Sequence, residues 1–77
     1  NYEMETKNLI RMANDIGNFF ISYPDEEQAK KETASHIQKF WGRDMRNQIK
    51  EHVSDTSEKN SQLNPFVFNA ISKYLKD

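Results

Sequence analysis

The sequence predicts an all-α fold, a small bundle of about four short amphipathic helices. Three observations carry this. Apolar residues recur at steps of three and four along most of the chain, and no β-type alternation survives for more than a few residues. Pro24, Gly42 and Pro65 fall where helices should end or begin. Hydrophobic residues make up only 35% of the chain but aromatics 12%, and a disordered chain is normally poor in aromatics. A small, aromatic-rich core is therefore expected.

The first helix is expected over Lys7–Tyr23. Leu9, Ala13, Ile16, Phe20 and Tyr23 form its apolar stripe, while Arg11, Asn14, Asp15 and Asn18 lie off it. Gly17 sits inside this helix at a cost of roughly 0.5–1 kcal/mol relative to Ala, and close approach of a neighbouring helix would explain it. Pro24 stops the helix. Asp25-Glu26-Glu27-Gln28 opens the second with an N-cap and a Gln three residues on, the capping-box pattern. Ala29, Thr33, Ile37, Phe40 and Trp41 continue as a narrower stripe, with Lys30, Lys31 and Lys39 in solvent. Gly42 suits the left-handed residue that ends a helix.

A third helix is expected from about Arg43 to Val53, with Met45, Ile49, His52 and Val53 inward. Residues 54–62 contain nothing apolar and read as a mobile polar loop. Leu63-Asn64-Pro65 opens the last helix, with Asn64 as N-cap and Pro65 in the first turn. Its stripe is Phe66, Val67, Ala70, Ile71, Tyr74 and Leu75. The chain is read as a single helical domain over residues 1–77, with 1–6 as an N-terminal tail and Met4 as a candidate native start. Short connections favour antiparallel neighbours. The first helix, longest and most apolar, is expected to be the one the others pack against.

Size and charge narrow the function. A domain of 77 residues buries only about 60% of the surface its unfolded chain exposes, and its core alone supplies ~3–5 kcal/mol of net stability. With no Cys, disulfides, thiolate metal sites and cysteine nucleophiles are excluded. A stabilising partner, another copy or a different protein, is a reasonable expectation. A net charge of −1 argues against a dedicated nucleic-acid or membrane-surface binder. The longest apolar run is Phe19-Phe20-Ile21, too short to span a membrane. The polar, acidic N-terminus resembles no signal peptide.

Catalytic chemistry is hard to find. His36 and His52, sixteen residues apart, lack metal-motif spacing. Glu26 and Glu27 are explained by the first turn of a helix. No phosphate-binding glycine loop and no nucleophile elbow is present. The more informative stretch is His36 to Arg46, an elbow in which one amphipathic helix ends, Gly42 acts as hinge and the basic start of the next helix follows. Lys39, Arg43, Arg46 and Lys50 bring four positive charges into twelve residues, with Phe40, Trp41 and Met45 among them. Aromatics beside arginines have the composition of an interface hot spot or of an anion site. Equally, Trp41 could cap the core and the charges form a solvated face.

Several segments, taken in order, resemble a known family. Arg11-Met12-Ala13-Asn14-Asp15-Ile16, then Tyr23-Pro24-Asp25, His36-Ile37-Gln38-Lys39-Phe40-Trp41, Met45-Arg46 and Leu63-Asn64-Pro65 are similar to the delta subunit of NAD-dependent formate dehydrogenase. The likeness runs from about Leu9 to Leu75. The family's elbow reads D-P-R-M-R; here Gly42-Arg43-Asp44 replaces its D-P-R, so the elbow is expected to bend differently.

The resemblance implies a cytoplasmic, multi-subunit enzyme. Its large subunit carries a molybdenum or tungsten pterin cofactor and iron–sulfur clusters, and smaller subunits carry flavin. It implies no catalytic residue, metal or cofactor on the delta chain. The expected function is thus a non-catalytic accessory or assembly subunit. It would bind the large subunit through the elbow residues Lys39, Phe40, Trp41, Arg43, Met45, Arg46 and Lys50. The alternatives are a pterin-cofactor-handling factor, a small nucleic-acid-binding module and a self-associating bundle.

Overall fold

The helices follow the apolar periodicity. The computed structural model describes residues 2–76, with side chains from residue 5 onward. It contains α1 (Tyr2–Phe20), α2 (Glu26–Phe40), α3 (Arg43–Asp55) and α4 (Pro65–Tyr74), with no strand among the described residues. The all-α bundle is therefore the fold. α1 starts earlier than the sequence suggested, so most of the expected 1–6 tail is helical; Asn1 lies outside the described residues. Thr6, inside that stretch, accepts a hydrogen bond from Gln48 Nε2 on α3 (2.8 Å), which gives the first turns a tertiary anchor.

α2 and α4 start where the capping signals put them, but the caps differ in detail. Asp25 caps α2 by accepting from the Gln28 N–H (3.0 Å). The reciprocal half of the box is not made, because the Gln28 side chain turns down the helix to Glu32 (2.9 Å). Asn64 sits at the N-cap of α4 without capping it. Its side chain donates to Asn18 on α1 (3.1 Å), and its backbone N–H donates to Asn14 Oδ1 (2.8 Å). Asn14 Nδ2 also reaches the Gln62 carbonyl (3.1 Å), so two side chains of α1 hold the entrance to α4.

Gly42 departs from expectation. Its φ of −65° and ψ of 161° are extended, and it is the N-cap of α3 rather than a left-handed end of α2. Trp41 closes α2 instead, also extended (φ −89°, ψ 143°), with its N–H on the Ile37 carbonyl (3.0 Å). Two successive extended residues carry the chain out of α2 into α3. These consecutive helices barely touch, although a short connection usually makes antiparallel neighbours.

α1 does contact each of the other three helices, but the most extensive pairing is α2 with α4. Small enclosed residues on these two, Ala29, Ala34 and Ala70, suit a close helix pair. The core gathers Leu9, Ile10 and Ala13 of α1 with Ile37, Ile49, Val67 and Ile71, the last four at 0–1% exposure. A Cβ on Gly17 would lie 2.2 Å from Val67 Cγ2. The glycine in α1 is there because α4 crosses it closely, as expected.

The polar stretch before α4 is more ordered than its composition suggests. α3 extends to Asp55, and Ser61 is fully buried. Ser61 Oγ donates to the Glu58 carbonyl (3.3 Å) and accepts from the Leu63 N–H (3.0 Å). His52 Nε2 donates to the Ser61 carbonyl (2.9 Å). Gln62 then turns the chain at φ 67°, a left-handed conformation, and Leu63 enters the core.

Candidate partner-binding surface

The elbow does not present its seven candidate residues as one surface. Trp41 is 5% exposed and belongs to the core. It therefore corrects the expectation of an apolar anchor for a partner, and its indole supports the bundle instead. Met45 is half-buried against the same core. Arg46 is also half-buried and folds back on the elbow, Nη1 donating to the Trp41 carbonyl (2.6 Å). It satisfies the end of α2, where orphan carbonyls need partners. Its Nε is buried without a hydrogen-bond partner among the described residues. Lys50 is half-buried, while Lys39, Phe40 and Arg43 remain exposed.

Phe40 leads to a different surface. It is 72% exposed and stacks obliquely on His36, one turn earlier on α2, with ring centres 4.7 Å apart. His36 faces Phe20 of α1 at 6.1 Å. Phe20 meets Tyr23 at 5.4 Å and Phe19 edge-on at 5.0 Å. A continuous row of rings thus runs from Tyr23 across the α1–α2 seam to Phe40. Phe19 is 69%, Ile21 51% and Tyr23 40% exposed. Exposed aromatic side chains of this kind are enriched at protein–protein interfaces. Within it, Asp15, Ile16, Phe19, Phe20 and His36 line an open cavity of about 350 Å³.

The sequence pattern assigned Phe20 and Tyr23 to the core stripe of the first helix, and it gave Phe19, Asp15 and the His36 ring no part in a surface. A signal was nonetheless present. Three consecutive apolar residues on a helix sweep about 200°, so Phe19-Phe20-Ile21 could not all face one core. The i, i+4 spacing of His36 and Phe40 likewise puts both on one face of α2.

A second polar cluster ties α2 to α4. Lys73 Nζ lies 2.8 Å from Glu27 Oε2, and the Tyr74 hydroxyl donates to the same oxygen. These contacts, Lys73 foremost, lower the Glu27 carboxyl to about 2. Glu27 in turn raises Lys73 and Tyr74 above their ordinary values. Lys31 and Lys73 also lie 5.7 and 5.6 Å from the Tyr74 ring centre. The cluster is a clamp between helices: a carboxylate held ionised at neutral pH makes a poor general base. Among the described residues, no three His, Cys, Asp or Glu side chains come together in a way that could hold a metal ion. Nor is any helix long and apolar enough to cross a membrane.

Fold and surface together define a small all-α protein that carries an exposed aromatic face. More particularly, the chain belongs to the NADH-dependent formate dehydrogenase delta subunit family, FdsD, whose model matches residues 8–71. Membership makes it a delta subunit of an NAD-dependent formate dehydrogenase, and the family name implies association with that enzyme's other subunits. The matched range includes the whole ring row from Phe19 to Phe40. No curated protein and no solved structure matches the chain.

Proposed function

We propose that this chain is a non-catalytic accessory or assembly subunit of a cytoplasmic formate dehydrogenase, docking on the large catalytic subunit through its aromatic face. One observation carries the reading: Phe19 and Phe40 lie exposed at the α1–α2 seam, joined by the half-buried rings of Phe20 and His36. Burying such rings supplies most of the energy of a typical interface. Lys39 and Arg43, exposed beside Phe40, serve as rim contacts that set orientation and on-rate more than affinity.

In this reading the chain itself carries none of the enzyme's iron–sulfur clusters. It has no Cys, the usual ligand of iron–sulfur clusters. The molybdenum or tungsten pterin, the clusters and the flavin would all be carried by the partner subunits. A role in handling the pterin cofactor is less well supported, because one fork of Arg46 is already engaged by the Trp41 carbonyl.

The test is co-expression with the other subunits and pull-down of the double variant Phe19→Ser, Phe40→Ser. Both side chains are largely exposed, so folding should change by only about 0.5 kcal/mol. Complex recovery is expected to fall about tenfold or more, since two aromatic anchors are lost. Unchanged recovery and unchanged formate oxidation would exclude this face. Trp41 is unsuited to the same test: truncating a buried Trp costs about 3–5 kcal/mol, enough to unfold a domain of this size.

A further inference from the structure

The aromatic face contains one charge whose setting says what should cover it. Asp15 lines the cavity with Ile16, Phe19, Phe20 and His36. Asp15 is an exposed residue, and its carboxylate makes no hydrogen bond or ion pair among the described residues. Its nearest cation along α1 is Arg11, one turn earlier, but that guanidinium turns back to Asn8. A carboxylate beside exposed rings is an unmatched arrangement in the free chain, and an apolar partner covering it would desolvate a charge without compensation.

A cation resolves both halves. The ring faces attract positive charge, and the carboxylate supplies its counter-ion. A guanidinium fits better than an ammonium, because it is planar, stacks on rings and forks onto a carboxylate. We propose that this cavity receives an arginine side chain from the formate dehydrogenase subunit on which the chain docks. The guanidinium stacks against Phe19 or Phe20 and pairs with Asp15. This inference rests on the docking face proposed above and adds the chemistry of its occupant.

The experiment measures binding of the full chain to the enzyme purified without its delta subunit. Wild type is compared with Asp15→Asn, Asp15→Glu and the Phe19→Ser, Phe40→Ser double variant, each first checked for helical content. At low salt, Asp15→Asn should weaken binding about tenfold, with Asp15→Glu closer to wild type. The gap between wild type and Asp15→Asn should shrink to about twofold in roughly 0.5 M salt, as screening shortens the reach of the charge. If Asp15→Asn binds like wild type at low salt while the double variant does not bind, the arginine is excluded and the docking face stands. If the double variant also binds normally, both fall. If the isolated chain sediments as a dimer that Asp15→Asn dissociates, the occupant is a second copy and the proposal is overturned.

Discussion

Two glycines play opposite parts, and each leads to a prediction. Gly17 is a packing residue: an added methyl meets Val67 at 2.2 Å. Alanine would gain about 1 kcal/mol in helix propensity but force α1 and α4 apart, an overpacking cost of typically 1–3 kcal/mol. Gly17→Ala should therefore lower the melting temperature despite the better helix former. Gly42 is the reverse. Its φ is negative, nothing lies within 4 Å of an added Cβ, and α3 begins without a side-chain cap. Gly42→Asp should cap α3 and gain a few tenths to about 1 kcal/mol, raising the melting temperature by up to about 4–8 °C. The resemblance places an Asp here, and the backbone angles accept one.

At the scale of elements, the Glu27–Lys73–Tyr74 cluster couples α2 to α4, the most extensively packed pair. Its pH dependence follows from the shift. Glu27 has an ordinary value of 4.5 and about 2 in the fold. Its stabilising contribution is thus complete above about pH 4.5 and is lost as pH falls toward about 2. Lys73 and Tyr74 are raised, so their contribution is present below their ordinary values and fades as pH rises through the shifted ones. Glu27→Gln should melt earlier than wild type at about pH 6, and the two should converge near about pH 2. A constant difference across that range in thermal melts followed by circular dichroism would show that Glu27 matters only by packing. All three groups are partly exposed, so solvent screening keeps the effect small.

At this scale, too, the limits of the sequence are visible. Asp25, Asn64 and Pro65 located two helix starts correctly, because N-cap chemistry is local to a few residues. What the side chains bond to was legible only in part. Asp25 caps its own helix as expected and Gln28 turns one turn on to Glu32, both local contacts, but Asn64 reaches across to α1. The loop before α4 read as mobile because it has no apolar residue. Its order comes from Ser61, whose hydroxyl and carbonyl meet groups on both sides of the loop.

For the whole molecule, the aromatic face and the small core belong to one account. A domain of this size is marginal alone, and covering Phe19, Ile21, Tyr23 and Phe40 on a partner would add the apolar burial it lacks. A bound partner raises apparent stability by mass action, about 2.7 kcal/mol at a hundredfold excess over Kd. The docked chain should accordingly melt well above the free one, and the Phe19→Ser, Phe40→Ser variant should lose that increment while melting, as a free chain, within about 4 °C of the wild-type free chain.

The sequence by itself determined the four helices, most of the core stripe and the family resemblance, because period, caps and ordered motifs are written along the chain. Only the tertiary structure decided which apolar residues stay outside. Phe40 and Trp41 are neighbours in sequence with equal claims to the core, yet one is 72% and the other 5% exposed. The decision falls at the elbow, where extended angles at Trp41 and Gly42 set the direction in which α3 leaves. That direction is fixed by the contacts α3 makes with α1 and α4, residues far away in the chain, and no local pattern encodes it.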